Sequence, residues 1–317
     1  MLAIVQTFSN CFKIPELKSR IIFTLLLLSI CRLIALVPVP GLDGALLSDF
    51  LAQTAEQDDR SLLGMYSLFT GGALERCAIG SLGIMPYISA TIIIQLMTAV
   101  LPGLSKLARE EGGRAKIIQY GRYLTLILCL GQGFVMALGW ENPAKIFDGF
   151  TGQLVLSDAI WWYRIQTVLV LTTGTLLLMW LGEQITERGI GNGISLVITI
   201  GILARLPSAV NQVYTMFFPP EGVVAQYNLL HLVGLVLIFA AVTALVIAVT
   251  QAQRKIPVQY AQRAVGRKVY SGGSSFMPLR VNYAGVMPII FAQAILMFPD
   301  RIFMQLGRIT EIKLFED

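Results

Sequence analysis

Apolar runs of near-bilayer length recur seven times along this chain, and that recurrence leaves it few ways to fold. They cover approximately Ile21–Val37, Ile79–Leu101, Tyr123–Leu138, Ile165–Leu181, Ile194–Leu206, Leu229–Thr250 and Tyr283–Phe298. A helix needs about 20 predominantly apolar residues to cross the hydrocarbon core of a membrane. Inside lipid, a backbone satisfies its own N–H and C=O groups only as a helix or a closed barrel. The expectation is an all-α polytopic membrane protein. Composition agrees, at 55% hydrophobic and 14% charged, where a soluble domain carries about 25% charged residues.

The second run is unlike a simple anchor. Gly83-Ile-Met-Pro-Tyr-Ile-Ser-Ala-Thr-Ile-Ile-Ile-Gln-Leu96 opens on glycine and proline and carries Ser89, Thr91 and Gln95. If the helix starts at Ile79, Pro86 falls after its first turn. Such interruptions are tolerated where a span faces other protein or a water-filled path, so this span is expected to line something.

Orientation follows from charge. The N-terminal segment and the loops after the second, fourth and sixth spans hold twice as many Lys and Arg as the loops on the other side. The positive-inside rule then puts the N-terminus in the cytoplasm. Met1–Arg20 does not read as a cleavable signal: the following run is long, contains Arg32, and ends at Pro38-Val-Pro40 without a small-x-small site. Ala3–Cys11 reads as a short interfacial helix. Cys11, Cys31, Cys77 and Cys129 are scattered, which argues for small core residues and against a disulfide framework.

The loop from Gln251 to Asn282 carries Arg254, Lys255, Arg263, Arg267, Lys268 and Arg280 and no acid. One reading is an orientation signal drawn to anionic headgroups. The other is a docking arm for a large anionic partner, either ribosomal RNA or the acidic face of a cytosolic motor.

Familiar enzyme chemistry has little to work with. His231 is the one histidine, so a multi-histidine metal site is excluded and a Ser-His-Asp triad is disfavoured. No Gly-x-x-x-x-Gly-Lys-Ser/Thr sequence occurs. Gly189-Ile-Gly191-Asn-Gly193 joins two spans and reads as a tight turn rather than a phosphate cradle. The seven spans contain no Asp or Glu, which counts against a proton- or sodium-coupled transporter.

At this point the chain resembles a known family. Gly71-Gly-Ala-Leu-Glu-Arg76, Gly83–Leu96, Trp180–Ser195, Gly266-Arg-Lys-Val-Tyr270 and Val281–Pro288 are similar, in order, to stretches of the SecY family, channel subunits of the bacterial Sec translocon. The resemblance implies two pseudo-symmetric five-helix halves around an hourglass pore. Residues 1–210 would form the N-terminal half with spans one to five. Residues 211–317 would form a partial C-terminal half with spans six and seven and the basic cytosolic loop 251–282. The family has ten spans and this chain reaches Asp317 just after its seventh, so the second half is expected to be incomplete.

The resemblance also implies site roles. A plug helix would lie at about 61–80, with Phe69, Gly71, Gly72 and Leu74. The pore ring would be Ile84, Ile88, Ile194, Ile198 and Ile290. A lateral-gate polar cluster would comprise Ser89, Gln132 and Asn282. Arg254, Lys255, Arg263, Arg267 and Lys268 would dock the ribosome or the SecA motor. The implied partners are SecE, SecG, SecA, the ribosome, signal-sequence-bearing polypeptides and lipid. No cofactor, metal or catalytic residue is implied. The implied function is passage of unfolded secretory chains across the cytoplasmic (inner) membrane with lateral release of apolar segments. A small-solute secondary transporter and a non-conducting fragment are the alternatives.

Overall fold

The computed structural model describes residues 13–54, 70–143, 150, 152–156, 159–218, 228–259, 263–265, 268–270 and 274–281. The chain divides into two compact units, Met1–Val210 and Asn211–Asp317. The first holds α1 (Pro15–Ile34), α2 (Gly44–Thr54), α3 (Met85–Val100), α4 (Pro102–Arg109), α5 (Gly113–Glu141), α6 (Ile160–Arg188) and α7 (Gly193–Leu203). A further helix, α8 (Leu206–Phe217), runs through the boundary, and α9 (Leu229–Gln251) lies in the second unit with β1 (Gln253–Gln259), β2 (Arg263–Val265), β3 (Lys268–Tyr270) and β4 (Ser274–Arg280).

In the first unit α6 is central, packed against α1, α3, α5 and α7. Small side chains make this possible. Gly121, Thr125, Cys129, Gly133 and Ala137 recur every four residues along the buried face of α5, a stripe that lets two backbones approach closely. The antiparallel α5 and α6 are joined by ion pairs at both ends. Arg122, in the third turn of α5, holds Glu183 on α6 with nitrogen–oxygen distances of 3.1 and 2.8 Å. Glu141 at the end of α5 receives Arg164 at 2.9 and 3.0 Å. The turn from α6 to α7 is as tight as its glycines suggest: a Cβ on Gly193 would lie 2.0 Å from the Gly182 carbonyl oxygen. Asn192 caps α7 by accepting from Ile194 N and Ser195 N at 3.1 and 3.3 Å.

The outward faces are apolar too. On α1, Thr24, Leu27, Leu28, Cys31 and Ile34 are buried, while Leu25, Leu26 and Leu33 point away and are more than half exposed. A helix that is hydrophobic on both faces belongs in a hydrophobic solvent. By length and composition, α5, α6, the α7–α8 stretch and α9 could each cross a membrane, and α3 with α4 form a broken candidate bent by 100° where Pro102 interrupts the ladder. The expected first span does not pass the same test. Arg20 and Arg32 confine the uninterrupted apolar run of α1 to about three helical turns.

One expectation is corrected. The second span does not begin at Ile79. Residues 71–84 form successive turns, Ile84 is the N-cap, and Pro86 lies in the first turn of α3, where its missing N–H costs nothing. Of the expected plug helix at about 61–80, residues 61–69 lie outside the described residues, Thr70 is helical, and 71–80 are turns and a bridge, with Gly71 and Gly72 both in left-handed backbone conformations. The helix α2 was not foreseen. It closes over a cluster in which Leu42, Leu47, Leu74, Trp140, Leu154 and Tyr163 are buried, and its Phe50 meets Phe150 edge-on at 5.1 Å.

In the second unit α9 is apolar on every side, with Leu230 81% and Phe239 75% exposed. The basic loop is not irregular. β1 pairs antiparallel with β4 from Gln253↔Arg280 to Gln259↔Ser274, and β2 pairs with β3 from Arg263↔Tyr270 to Val265↔Lys268. Among the described residues, the long apolar segments are helical and the basic loop is built of β-strands. Phe69, Arg267, Asn282, Ile290, Ala3–Cys11 and the seventh span lie outside the described residues.

Candidate functional site

The first unit contains a narrow cleft where α1, the 70–84 segment, α6 and α7 converge. Arg32, Thr70, Ile84, Leu178, Val197 and Ile198 are among the residues lining it. Two of the expected ring residues thus meet there from different elements: Ile84 from the cap of α3, Ile198 from α7. Ile88 is one turn further along α3, its N–H donating to the Ile84 carbonyl at 3.2 Å, and is 1% exposed. Ile194 sits in the first turn of α7 and lies against Gly182 of α6. Ser89 on α3 and Gln132 on α5 are half-buried.

The chain just before α3 is fixed in two different ways. Its later part is held by backbone. Val39 N donates to Cys77 O at 2.9 Å, Ile79 N donates to Val37 O at 2.9 Å, and Pro38 and Ala78 form a β-bridge. Leu74 and Cys77 are buried in the cluster beneath α2, and Ser81 Oγ donates to Ala73 O at 3.0 Å. Burial first, and the nearby Asp43 second, push the Cys77 thiol up to about 12. The earlier part, whose Ala73 and Leu74 carbonyls accept from Ala78 N and Cys77 N at 2.9 and 3.1 Å, is also held by charge. Arg32 Nη1 donates to the Gly71 carbonyl at 3.2 Å, and Arg205 Nη2, from the junction of α7 and α8, pairs with Glu75 Oε1.

These charged residues were given no role in the sequence reading, which noted Arg32 only as lying within the first apolar run. The available signal was an arginine within an apolar run, which is rare without a function or a partner. In the second unit, Arg254 and Lys255 on β1 and Arg280 on β4 are exposed, and Lys255 Nζ lies 4.9 Å from the centre of the Phe276 ring. Arg263 and Lys268 sit on the facing strands β2 and β3. Among the described residues, no group of three or more His, Cys, Asp or Glu could hold a metal ion.

The family model SecY matches residues 78–315, most of the chain. This chain belongs to the SecY family. The SecY protein translocase subunit of Vibrio cholerae serotype O1 is 44% identical over 306 residues, covering 95% of this chain and 64% of the relative. That of Escherichia coli K12 is 46% identical over 288 residues, covering 90% and 62%. The chain thus spans rather less than two thirds of the length of these two SecY relatives. A solved protein-conducting channel shares the fold at TM-score 0.51 and 18% identity, over 87% of this chain and 56% of that one. A SecY structure concerned with a plug domain that stabilises the closed channel does so at TM-score 0.52 and 20% identity, over 92% and 58%. A multi-pass membrane protein of SecY fold is the common ground of these likenesses and of the apolar helices.

Proposed function

We propose that this SecY-family chain carries the pore-forming part of a protein-conducting channel. It passes unfolded secretory polypeptides across the cytoplasmic membrane and releases apolar segments sideways into lipid. The observation that supports this most is the cleft that Ile84 and Ile198 line together with Thr70. A constriction of aliphatic side chains dewets, offers ions no ligands, and closes around a passing chain without reading its sequence. Ile88, Ile194 and Ile290 complete the ring. Phe69, Gly71, Gly72 and Leu74 belong to the plug. Ser89, Gln132 and Asn282 hold the lateral seam by neutral hydrogen bonds of about 0.6–2 kcal/mol each.

Residues 1–210 form one half of the channel and 211–317 contribute to the other. The N-terminus is cytoplasmic, on the charge asymmetry of the loops. The basic loop carrying Arg254, Lys255, Arg263, Arg267 and Lys268 then faces the cytosol and docks the ribosome or SecA, with SecE and SecG alongside. The chain performs no bond chemistry; the driving energy comes from those partners.

The test is conductance in a complete channel carrying these residues. Ile84→Asn or Ile198→Asn wets the constriction and raises resting ion leak across planar bilayers, while Leu237→Asn on α9 produces no specific leak. Equal conductance in ring variants and parent overturns the assignment. Solute flux in proteoliposomes without polypeptide transport points instead to a small-solute transporter.

A further inference from the structure

The α5–α6 pair is marked at two levels by its charges. Arg122 and Glu141 stand nineteen positions apart on α5, and Arg164 and Glu183 stand nineteen apart on α6. The helices run antiparallel, so Arg122 meets Glu183 and Arg164 meets Glu141. At a rise of about 1.5 Å per residue, the two ion pairs lie about 28 Å apart along the helices. Between them, residues 123–140 of α5 and 165–182 of α6 contain no Lys, Arg, Asp or Glu. Beyond Arg122 and Glu183 polarity returns, at Arg114, Lys116 and Gln119 on α5 and at Gln184, Glu187 and Arg188 on α6.

Tryptophans mark the same two levels. Trp162, two positions before Arg164, is 65% exposed, and Trp180, three positions before Glu183, is 53% exposed. Eighteen positions make five whole turns, so the two rings leave α6 on one face, about 27 Å apart. Ile165, Leu169 and Leu177 lie on that face between them and are exposed. On α5, Tyr123 beside Arg122, and Ile127 and Phe134 further along, are exposed as well. Tryptophan has an apolar body and an N–H that wants a partner, so it settles where hydrocarbon gives way to headgroups. Ionised side chains are kept out of the slab by the cost of leaving water.

Two kinds of side chain, placed for different physical reasons, thus define the same pair of planes. Their separation is within a few ångströms of the roughly 30 Å hydrocarbon core of a bilayer. We propose that the outer face of α5–α6 is a lipid-contact surface matched to a hydrocarbon core of about 28 Å, with Trp162 and the Arg164–Glu141 pair at one boundary and Trp180 and the Arg122–Glu183 pair at the other. The bilayer is then a partner of defined thickness. A thinner one leaves apolar side chains beyond the headgroups, and a thicker one draws an ion pair into hydrocarbon, each at a cost in stability. This inference rests on the membrane fold and not on the channel reading, so it is tested without transport.

The test uses the 317-residue chain in phosphatidylcholine vesicles. Trp161→Phe with Trp162→Phe leaves Trp180 as the exposed tryptophan, and Trp161→Phe with Trp180→Phe leaves Trp162, while the buried Trp140 stays as background. Lipids brominated near the headgroup quench Trp162 and Trp180 at least twofold more strongly than lipids brominated near the chain ends. The order reverses when all three exposed tryptophans are Phe and Leu169→Trp puts the probe about 10 Å inside Trp162. Stronger quenching of Trp162 or Trp180 by the deep bromines overturns the two boundaries. Quenching by neither lipid overturns the lipid contact, and iodide then tells a face in water from one covered by protein. Thermal unfolding in vesicles of monounsaturated chains from about 14 to about 22 carbons peaks where the core is near 28 Å, with the midpoint several degrees lower at either extreme. Arg122→Leu with Glu183→Leu lengthens the uncharged stretch at one end and moves the peak to longer chains. A midpoint that ignores chain length, or a peak that the double variant leaves in place, overturns the match.

Discussion

Leu74 and Cys77 lie three residues apart in a segment that contains neither helix nor strand, yet both are shut off from solvent. The reason is the cluster beneath α2, into which both side chains project. Leu74→Ala therefore opens a cavity and costs about 2–4 kcal/mol, seen as a lower melting temperature of the purified chain. Cys77 gives the sharper pH signature. Its thiol is raised to about 12 by burial and Asp43, whereas an unfolded cysteine titrates near about 8.5. The unfolded state then releases a proton that the folded state retains, so stability contributed by this group is complete below the unfolded value and declines as pH rises above it. The thiolate is the nucleophile, so Cys77 resists alkylation between pH 7 and 9 in the folded chain and reacts readily once denaturant is added. Comparable rates in the two states would contradict the burial.

At the scale of elements, the ion pairs that join α5 and α6 and the basic ribbon make different predictions. Arg164 and Glu141 are about one-fifth exposed and meet through two parallel hydrogen bonds, a geometry stronger than a solvated surface pair. A double-mutant cycle on melting with Arg164→Ala and Glu141→Ala yields a coupling of about 1 kcal/mol, near the top of the range for exposed pairs. The docking proposed for the ribbon predicts an effect on binding instead of folding. Arg267→Glu with Lys268→Glu lowers ribosome and SecA affinity and flattens its salt dependence, since fewer phosphate contacts release fewer counterions. Affinity titrations at several salt concentrations check both outcomes. The ribbon's charge was plain in the sequence; its strands were not. Arg254-Lys255 and Pro257 obscure the alternation of Ile256 and Val258, and strand preference depends on the neighbours a residue packs against. The opposite happened with α3, whose apolar run was easy to see. Its start was misplaced because Gly83, with φ +59°, turns the chain where hydropathy alone runs on.

Across the whole molecule, legibility followed the reach of each interaction. Apolar runs, the α6–α7 turn and the membrane class are local properties and could be read directly. The meeting of Ile84 with Ile198, and of Arg205 with Glu75 across 130 positions, depends on how helices stack, which no local pattern encodes. The two units also differ in how much of their own surface they bury. The first has α6 enclosed by four helices and ion pairs joining both ends of its longest pair. In the second, α9 is apolar all round, and none of its apolar window is buried, so its surface must be covered by lipid or by other protein. A fragment ending at Val210 should therefore keep most of the full chain's stability in detergent, with a melting temperature within a few degrees of it and the Arg122–Glu183 and Arg164–Glu141 pairs intact. The complementary fragment from Asn211 should aggregate in detergent unless lipid or partner helices are supplied. Size-exclusion profiles and thermal scans of the two fragments decide the matter. A first fragment that melts far below the full chain would show that its core depends on the rest of the chain, and a monodisperse second fragment would show that α9 needs no such cover.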